Sequence, residues 1–261
     1  MLSEETVVQI ADELVEAART RVPVPLLTRR FPEMEVEDSY RVQRVWQQRN
    51  QEAGRRLVGH KIGLTSRAMQ MATGITEPDY GAIFDDMVFD SGAVFEHARY
   101  TMPRIEVELS FVLKGELRGP GVTMLDVARA TEYVIPSLEI LDSRIEMEGR
   151  TIVDTISDNA AMGCMVIGGR PVAVDELDLR WVGGVLYRNE VIEETGLAAG
   201  VLGNPLMGVA WLANKIAPFG DALEAVEIVL SGSFTRPVAA GVGDTITADY
   251  GPLGVITCRF A

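Results

Sequence analysis

The chain has 261 residues, 47% of them hydrophobic and 24% charged, with a formal net charge of −14. That length and balance suit a globular protein with a real core, and an acidic charge with no Lys/Arg-rich run argues against nucleic acid as a partner. No run of about 18 apolar residues offers a membrane span, and the acidic start MLSEETVVQIADELVEA lacks the bases of an export signal, which points to the cytoplasm.

Apolar residues at Ile10, Leu14, Val15 and Ala18 predict a helix over 4–19. After the link RVPVP, a second helix is expected over roughly 37–53. Val42, Val45 and Trp46 form its inner stripe and Gly54 its stop. Together they read as a helical cap, 1–55, on a β-rich metal-binding core, 56–261, within one catalytic domain.

The core opens with RLVGHKIGL. Strand alternation puts Gly59, Lys61 and Gly63 on one face and Val58, His60 and Ile62 on the other. Lys61 thus has hydrogen atoms as same-face neighbours, leaving room for a small molecule. Beside a divalent cation and desolvated, its pKa would fall toward values useful for proton transfer. A surface lysine on a glycine-rich strand is the other reading. His60 reads as a core histidine, and EPDYG (77–81), carrying Asp79, as a turn.

In PRIEVELSFVL (103–113), Ile105, Val107, Leu109, Phe111 and Leu113 share one face; Glu106, Glu108 and Ser110 share the other. The two carboxylates sit about 6.6 Å apart along the strand, two like charges held on one face. They are either a solvated face or ligands for a hard divalent cation, Mg²⁺ or Mn²⁺. A third oxygen donor is available in YVIPSLEILDSR, where Glu139 lies among Ile135, Leu138, Ile140 and Leu141. The alternatives are an edge residue or an acid paired to Arg144.

Helices are expected at about 123–131, with Thr123 and Asp126 as a capping box, at about 154–162, and from Asn204 to about Ala217, with Asn204 as cap and Pro205 at the first helical position. Ser157, Asp158 and Asn159 fall in the second of these. CMVIGG, WVGGVLYRNEVIEE, EIVLSGS, DTITADY and GVITCRF read as further strands. The small-residue loop SGSFTRPV (231–238) offers backbone N–H groups to a carboxylate and carries Arg236. Strands outnumber helices without strict alternation, so the fold class is α+β: a mixed, largely antiparallel sheet forming a roll or barrel.

Two histidines, His60 and His97, exclude a multi-histidine zinc site. Cys164 and Cys258 form no C-x-x-C pair and read as core thiols. No dinucleotide, P-loop or nucleophile-elbow motif occurs.

GHKIGLTS, EPDYG, PRIEVELSFVL, EYVIPSLEILDSR, DTISDNAA, GSFTRPV and ADYGPLGVITCRF, in this order, resemble the 2-oxo-hept-4-ene-1,7-dioate hydratases, of the hydratase/decarboxylase branch of the fumarylacetoacetate hydrolase superfamily. The resemblance covers essentially the whole chain. It implies Mg²⁺ held by Glu106, Glu108 and Glu139, with Lys61 as acid/base working beside Asp79. It also implies substrate contacts from Leu64, Ser157, Asp158, Asn159 and Arg236. The implied substrate is a 2-oxo-enedioate and the implied assembly a homo-oligomer. Arg67, Arg104, Arg144 and Arg236 are the candidates to hold the far carboxylate. One departure is EMEGRTIV (146–153), shorter than the corresponding loop, which bears on substrate choice. The alternatives are a 4-oxalocrotonate decarboxylase, a 2-oxopent-4-enoate hydratase, or a non-catalytic partner subunit of such an enzyme.

Overall fold

The computed structural model describes residues 1–67, 70–71, 75 and 77–261. Helix α1 (Glu4–Thr20) begins where the Ser3 hydroxyl accepts the Thr6 N–H at 3.2 Å. It buries Val7, Ile10, Ala11, Leu14 and Ala17. The inner stripe is thus rotated from the expected one, and Val15 faces solvent. A short helix α2 (Leu27–Arg30) leads to α3 (Val36–Glu52), which packs on α1 and buries Tyr40, Val42 and Trp46.

The strands are β1 (Leu57–Gly63), β2 (Asp79–Phe84), β3 (Val88–Asp90), β4 (Ala93–Phe95), β5 (Arg104–Leu113), β6 (Thr131–Leu141), β7 (Met162–Ile167), β8 (Gly183–Arg188), β9 (Val191–Leu197), β10 (Ile228–Leu230), β11 (Val238–Ala239), β12 (Thr245–Asp249) and β13 (Val255–Phe260). They form two sheets. One runs β2-β1-β10-β5-β6-β7-β3, with β11 also on β5; the other runs β4-β13-β12-β8-β9. Among the described residues, the named strands that pair in parallel are β1–β10, β3–β7 and β4–β13. The mixed, largely antiparallel character matches the sequence pattern, but both sheets stay open and no barrel closes.

Between β5 and β6 lies helix α4 (Met124–Ala130), started by the Thr123/Asp126 capping box. Helix α6 (Pro205–Ile216) starts at Asn204, whose Oδ1 accepts the Leu206 N–H at 3.0 Å. The helix expected at 154–162 is instead α5 (Ile152–Ser157), capped from Thr151, followed by a 3₁₀ turn. There Asn159, Ala160 and Ala161 take φ of 49°, 52° and 57°. Three successive left-handed non-glycine residues cannot continue a right-handed helix, so the chain turns away.

Strand β5 is central, and its odd-numbered side chains from Ile105 to Leu113 are buried throughout. Burying one such side chain, Phe111 for instance, stabilises by about 1.5–3 kcal/mol. One apolar cluster runs from α1 and α3 through β5 and β6 to β13. The polar face of β5 is also turned inward, and that places the site.

Candidate active site

Strands β5 and β6 pair antiparallel, with Glu106 opposite Glu139 and Glu108 opposite Ser137. Directly opposed residues point to the same face. One carboxylate oxygen from each of Glu106, Glu108 and Glu139 therefore falls within 4.8 Å of the others. Glu108 and Glu139 are fully buried and Glu106 partly so. Glu108 Oε2 accepts the Gly232 N–H at 2.9 Å, but Glu108 Oε1 and Glu139 Oε2 lack a hydrogen-bond partner.

Burial, and then the neighbouring acids, raise the Glu106 pKa to about 8 and that of Glu108 well above the usual carboxylate range. Burial also raises Glu139, opposed by Lys61. Orphaned buried oxygens are costly and carry a cause when they persist. A hard divalent cation fits this all-oxygen donor set. Among the described residues, no other group of three metal-ligating side chains comes together.

Lys61 comes from β1, where it pairs with Gly81 of β2. Its Nζ lies 3.1 Å from Glu139 Oε1 and donates to the Ala160 carbonyl at 2.8 Å. The left-handed turn after α5 is what brings that carbonyl inward. Burial alone would lower the lysine pKa, but Glu139, Asp79, Glu106 and Glu108 outweigh it and raise it. Among its acids, the amine stays an ammonium.

Asp79, at the start of β2, pairs with Gly63 and is 1% exposed. Neither of its oxygens has a hydrogen-bond partner; the Gly63 N–H lies toward it without completing one. Burial raises its pKa against the pull of Lys61 and Arg150. A Cβ on Gly63 would stand 2.2 Å from Asp79 Oδ1 and 3.1 Å from Lys61 Nζ. Gly63 therefore makes room for an acid of the protein itself. Gly59 instead admits β10, since its Cβ would meet the Ile228 carbonyl at 1.9 Å.

Lys61, Leu64, Asp79, Arg104, Glu106 and Arg150 line a cavity of about 260 Å³. Leu64 enters it from a left-handed backbone, φ 56°.

Four expected substrate contacts do not line this cavity. Ser157 is buried and donates to the Val153 carbonyl at 2.8 Å. Asp158 is a buried clamp that binds Arg144, Arg150 and the Ser143 hydroxyl. Asn159 pairs with the backbone of β2, accepting the Ala82 N–H at 2.7 Å and donating to the Ala82 carbonyl at 2.9 Å. Arg236 has a side chain 77% exposed and pairs with Glu194 at 2.6 Å. Arg144, the partner offered by the alternative reading of Glu139, is bound to Asp158 instead, and Glu139 meets Lys61.

The loop 231–238 does supply a backbone N–H, but to Glu108. Sequence reasoning missed Arg150, because no local pattern marks a loop arginine that folds back over a sheet. It also missed Tyr250, whose hydroxyl lies 2.6 Å from the Ser137 carbonyl and 3.1 Å from that of Glu108. His60 is buried on the opposite side of β1, its pKa pushed down to about 4 by burial.

No family model matches the sequence. The chain is 52% identical to the 2-oxo-hept-4-ene-1,7-dioate hydratase of Escherichia coli, over all of both chains. It is 36% identical to a 4-oxalocrotonate decarboxylase of Pseudomonas putida, over 99% of this chain and 98% of the relative. The solved structure of 4-oxalocrotonate decarboxylase from Pseudomonas putida G7, complexed with magnesium and adipate, superposes with a TM-score of 0.97 at 36% identity. That match covers 100% of this chain and 99% of the other.

The chain belongs to the hydratase/decarboxylase branch of the fumarylacetoacetate hydrolase superfamily. As a member of this branch it is a metal-binding carbon–oxygen or carbon–carbon lyase of aromatic-compound catabolism. Its chemistry-bearing side chains come from the eight-stranded sheet and the loop over it. No helix among the described residues is long and apolar enough to cross a membrane.

Proposed function

We propose that this chain is a Mg²⁺-dependent hydro-lyase converting 2-oxo-hept-4-ene-1,7-dioate to 4-hydroxy-2-oxoheptanedioate in the cytoplasm. The observation that carries the reading is the convergence of Glu106, Glu108 and Glu139 within 4.8 Å, with Lys61 against Glu139. The 52% identity to a hydratase of that name supports the substrate, and the magnesium-complexed relative supports the metal.

Glu106, Glu108 and Glu139 would hold the cation. Bound there, it offsets the three negative charges and withdraws electrons from the keto-acid end of the substrate, which favours the enol and makes C4 of the conjugated ketone electrophilic. Lys61 Nζ, fixed by the Ala160 carbonyl, is the proton carrier. It delivers a proton to C5 and takes back the proton that leaves the dienol O–H, giving the 2-oxo-3-enoate. Water then adds, its oxygen to C4. Asp79, buried and unpartnered, accepts a hydrogen bond from that water, takes up its proton and returns it to C3. The sheets and the helical cap work as one catalytic unit. The exposed Trp181, Val191, Ile192 and Leu197 along the β9 edge support a homo-oligomer.

The test is turnover of 2-hydroxyhepta-2,4-dienedioate by the purified chain with Mg²⁺. The expected product is 4-hydroxy-2-oxoheptanedioate without CO₂, and Lys61→Ala is expected to abolish turnover while retaining Mg²⁺ binding. Release of CO₂ assigns a decarboxylase instead, and no conversion assigns a non-catalytic subunit.

A further inference from the structure

We propose that Arg104 is the residue that selects a dicarboxylate substrate, receiving its far carboxylate with Arg150 alongside; this rests on the reading above for the identity of the substrate. Arg104 shares a face of β5 with Glu106 and Glu108. It stands two residues from Glu106, about 6.8 Å along the strand. That is the scale of the four carbons separating C2 from the C7 carboxylate. Both Arg104 and Glu106 line the same cavity, so a chain held at the acids by its keto-acid end runs toward Arg104.

Position and partners decide among the arginines: Arg67 is exposed and does not line the cavity. Arg144 is committed to Asp158, and Arg236 to Glu194 outside the cavity. Arg104 has no carboxylate within ion-pair distance among the described residues, and its one polar contact is Met147 Sδ at 3.8 Å. Arg150 engages Ser143 and Asp158 through its terminal nitrogens, while its buried Nε has no partner. The two guanidinium groups are near enough to oppose each other's charge. A half-buried cation and a neighbouring arginine with an orphaned buried N–H, both lining the cavity that Glu106 enters, are completed by an anion. The sequence left four arginines open for this role, and Arg150 was not among them.

The test is calorimetric titration of the whole chain, at saturating Mg²⁺, with 2-oxoheptanedioate and 2-oxopentanoate. These unreactive probes share the keto-acid end, and the dioate is longer by one methylene and the far carboxylate. The wild type should prefer the dioate. Arg104→Met should weaken dioate binding by about ten- to a hundredfold while leaving 2-oxopentanoate within about threefold, since a charge-assisted bond is lost for one probe only. Arg104→Lys should keep part of the preference, as a point charge without the planar fork. A misfolded fraction cancels in the ratio. An unchanged ratio in Arg104→Met overturns the assignment even if the wild type turns over. A lost ratio in a chain that turns over nothing supports Arg104 and sinks the hydratase reading. Failure of the wild type to bind either probe overturns both.

Discussion

Gly63→Ala tests the site at its tightest point. The added Cβ would stand 2.2 Å from Asp79 Oδ1, where ordinary contact begins at 3.4 Å, so the carboxylate must withdraw by about 1.2 Å. Asp79 is short, buried and pinned at the start of β2, so rotation alone gives little relief. Overpacking of this kind costs about 1–3 kcal/mol of stability. Misplacing a reacting group by about 1 Å costs on the order of a hundredfold in rate. The expected result is a kcat roughly a hundredfold lower. Mg²⁺ affinity measured by calorimetry should stay close to wild type, because the substitution does not touch Glu106, Glu108 or Glu139. A variant that folds and keeps a kcat within about threefold of wild type, far from that hundredfold, would show that Asp79 takes no part in the reaction.

Two further expectations concern the whole molecule. Adding Mg²⁺ to the metal-free protein at about 100 times its Kd should stabilise it by about 2.7 kcal/mol, roughly a 5–10 °C rise in Tm. Differential scanning calorimetry with and without EDTA reads this, and an unmoved Tm in both Mg²⁺ and Mn²⁺ would remove the metal from the three acids. The second involves Glu227, whose pKa burial raises to about 7. Below pH 4.5 its carboxyl is neutral folded and unfolded. As pH rises toward 7 the unfolded chain ionises first, so the stability held by the neutral form is lost. Glu227→Gln should lack this loss and gain up to about 3 kcal/mol over wild type between pH 4.5 and 8. Parallel denaturation curves at the two pH values would refute it.

The acids were legible because they broke a rule. Strand alternation put Glu106 and Glu108 together, and Glu139 stood out among aliphatic residues. The β5–β6 register, which pairs Glu106 with Glu139, completes what period-two reasoning starts. Lys61 was legible from its glycines, though for a reason only half right: one glycine seats Asp79 and the other a neighbouring strand. The 157–161 segment was not legible. Polar residues after a helical turn usually cap or face solvent, and nothing local announces three left-handed residues in a row. Once they turn the chain, Asp158 and Asn159 point into the protein and bind it. Arg236 and Arg150 show the same limit from opposite sides. Which arginine reaches a cavity is decided by loops whose course depends on distant packing.

Asn159 has a second consequence. β2 ends its sheet, and an end strand offers unpaired backbone groups to any passing chain. Here the Asn159 amide occupies them at Ala82 and the Gln43 amide takes the Tyr80 carbonyl, while the backbone of Ala160 steadies the lysine. The guard against aberrant strand addition and the brace of the active-site amine are thus one turn of chain, so damage there exposes a sticky edge at the moment activity is lost.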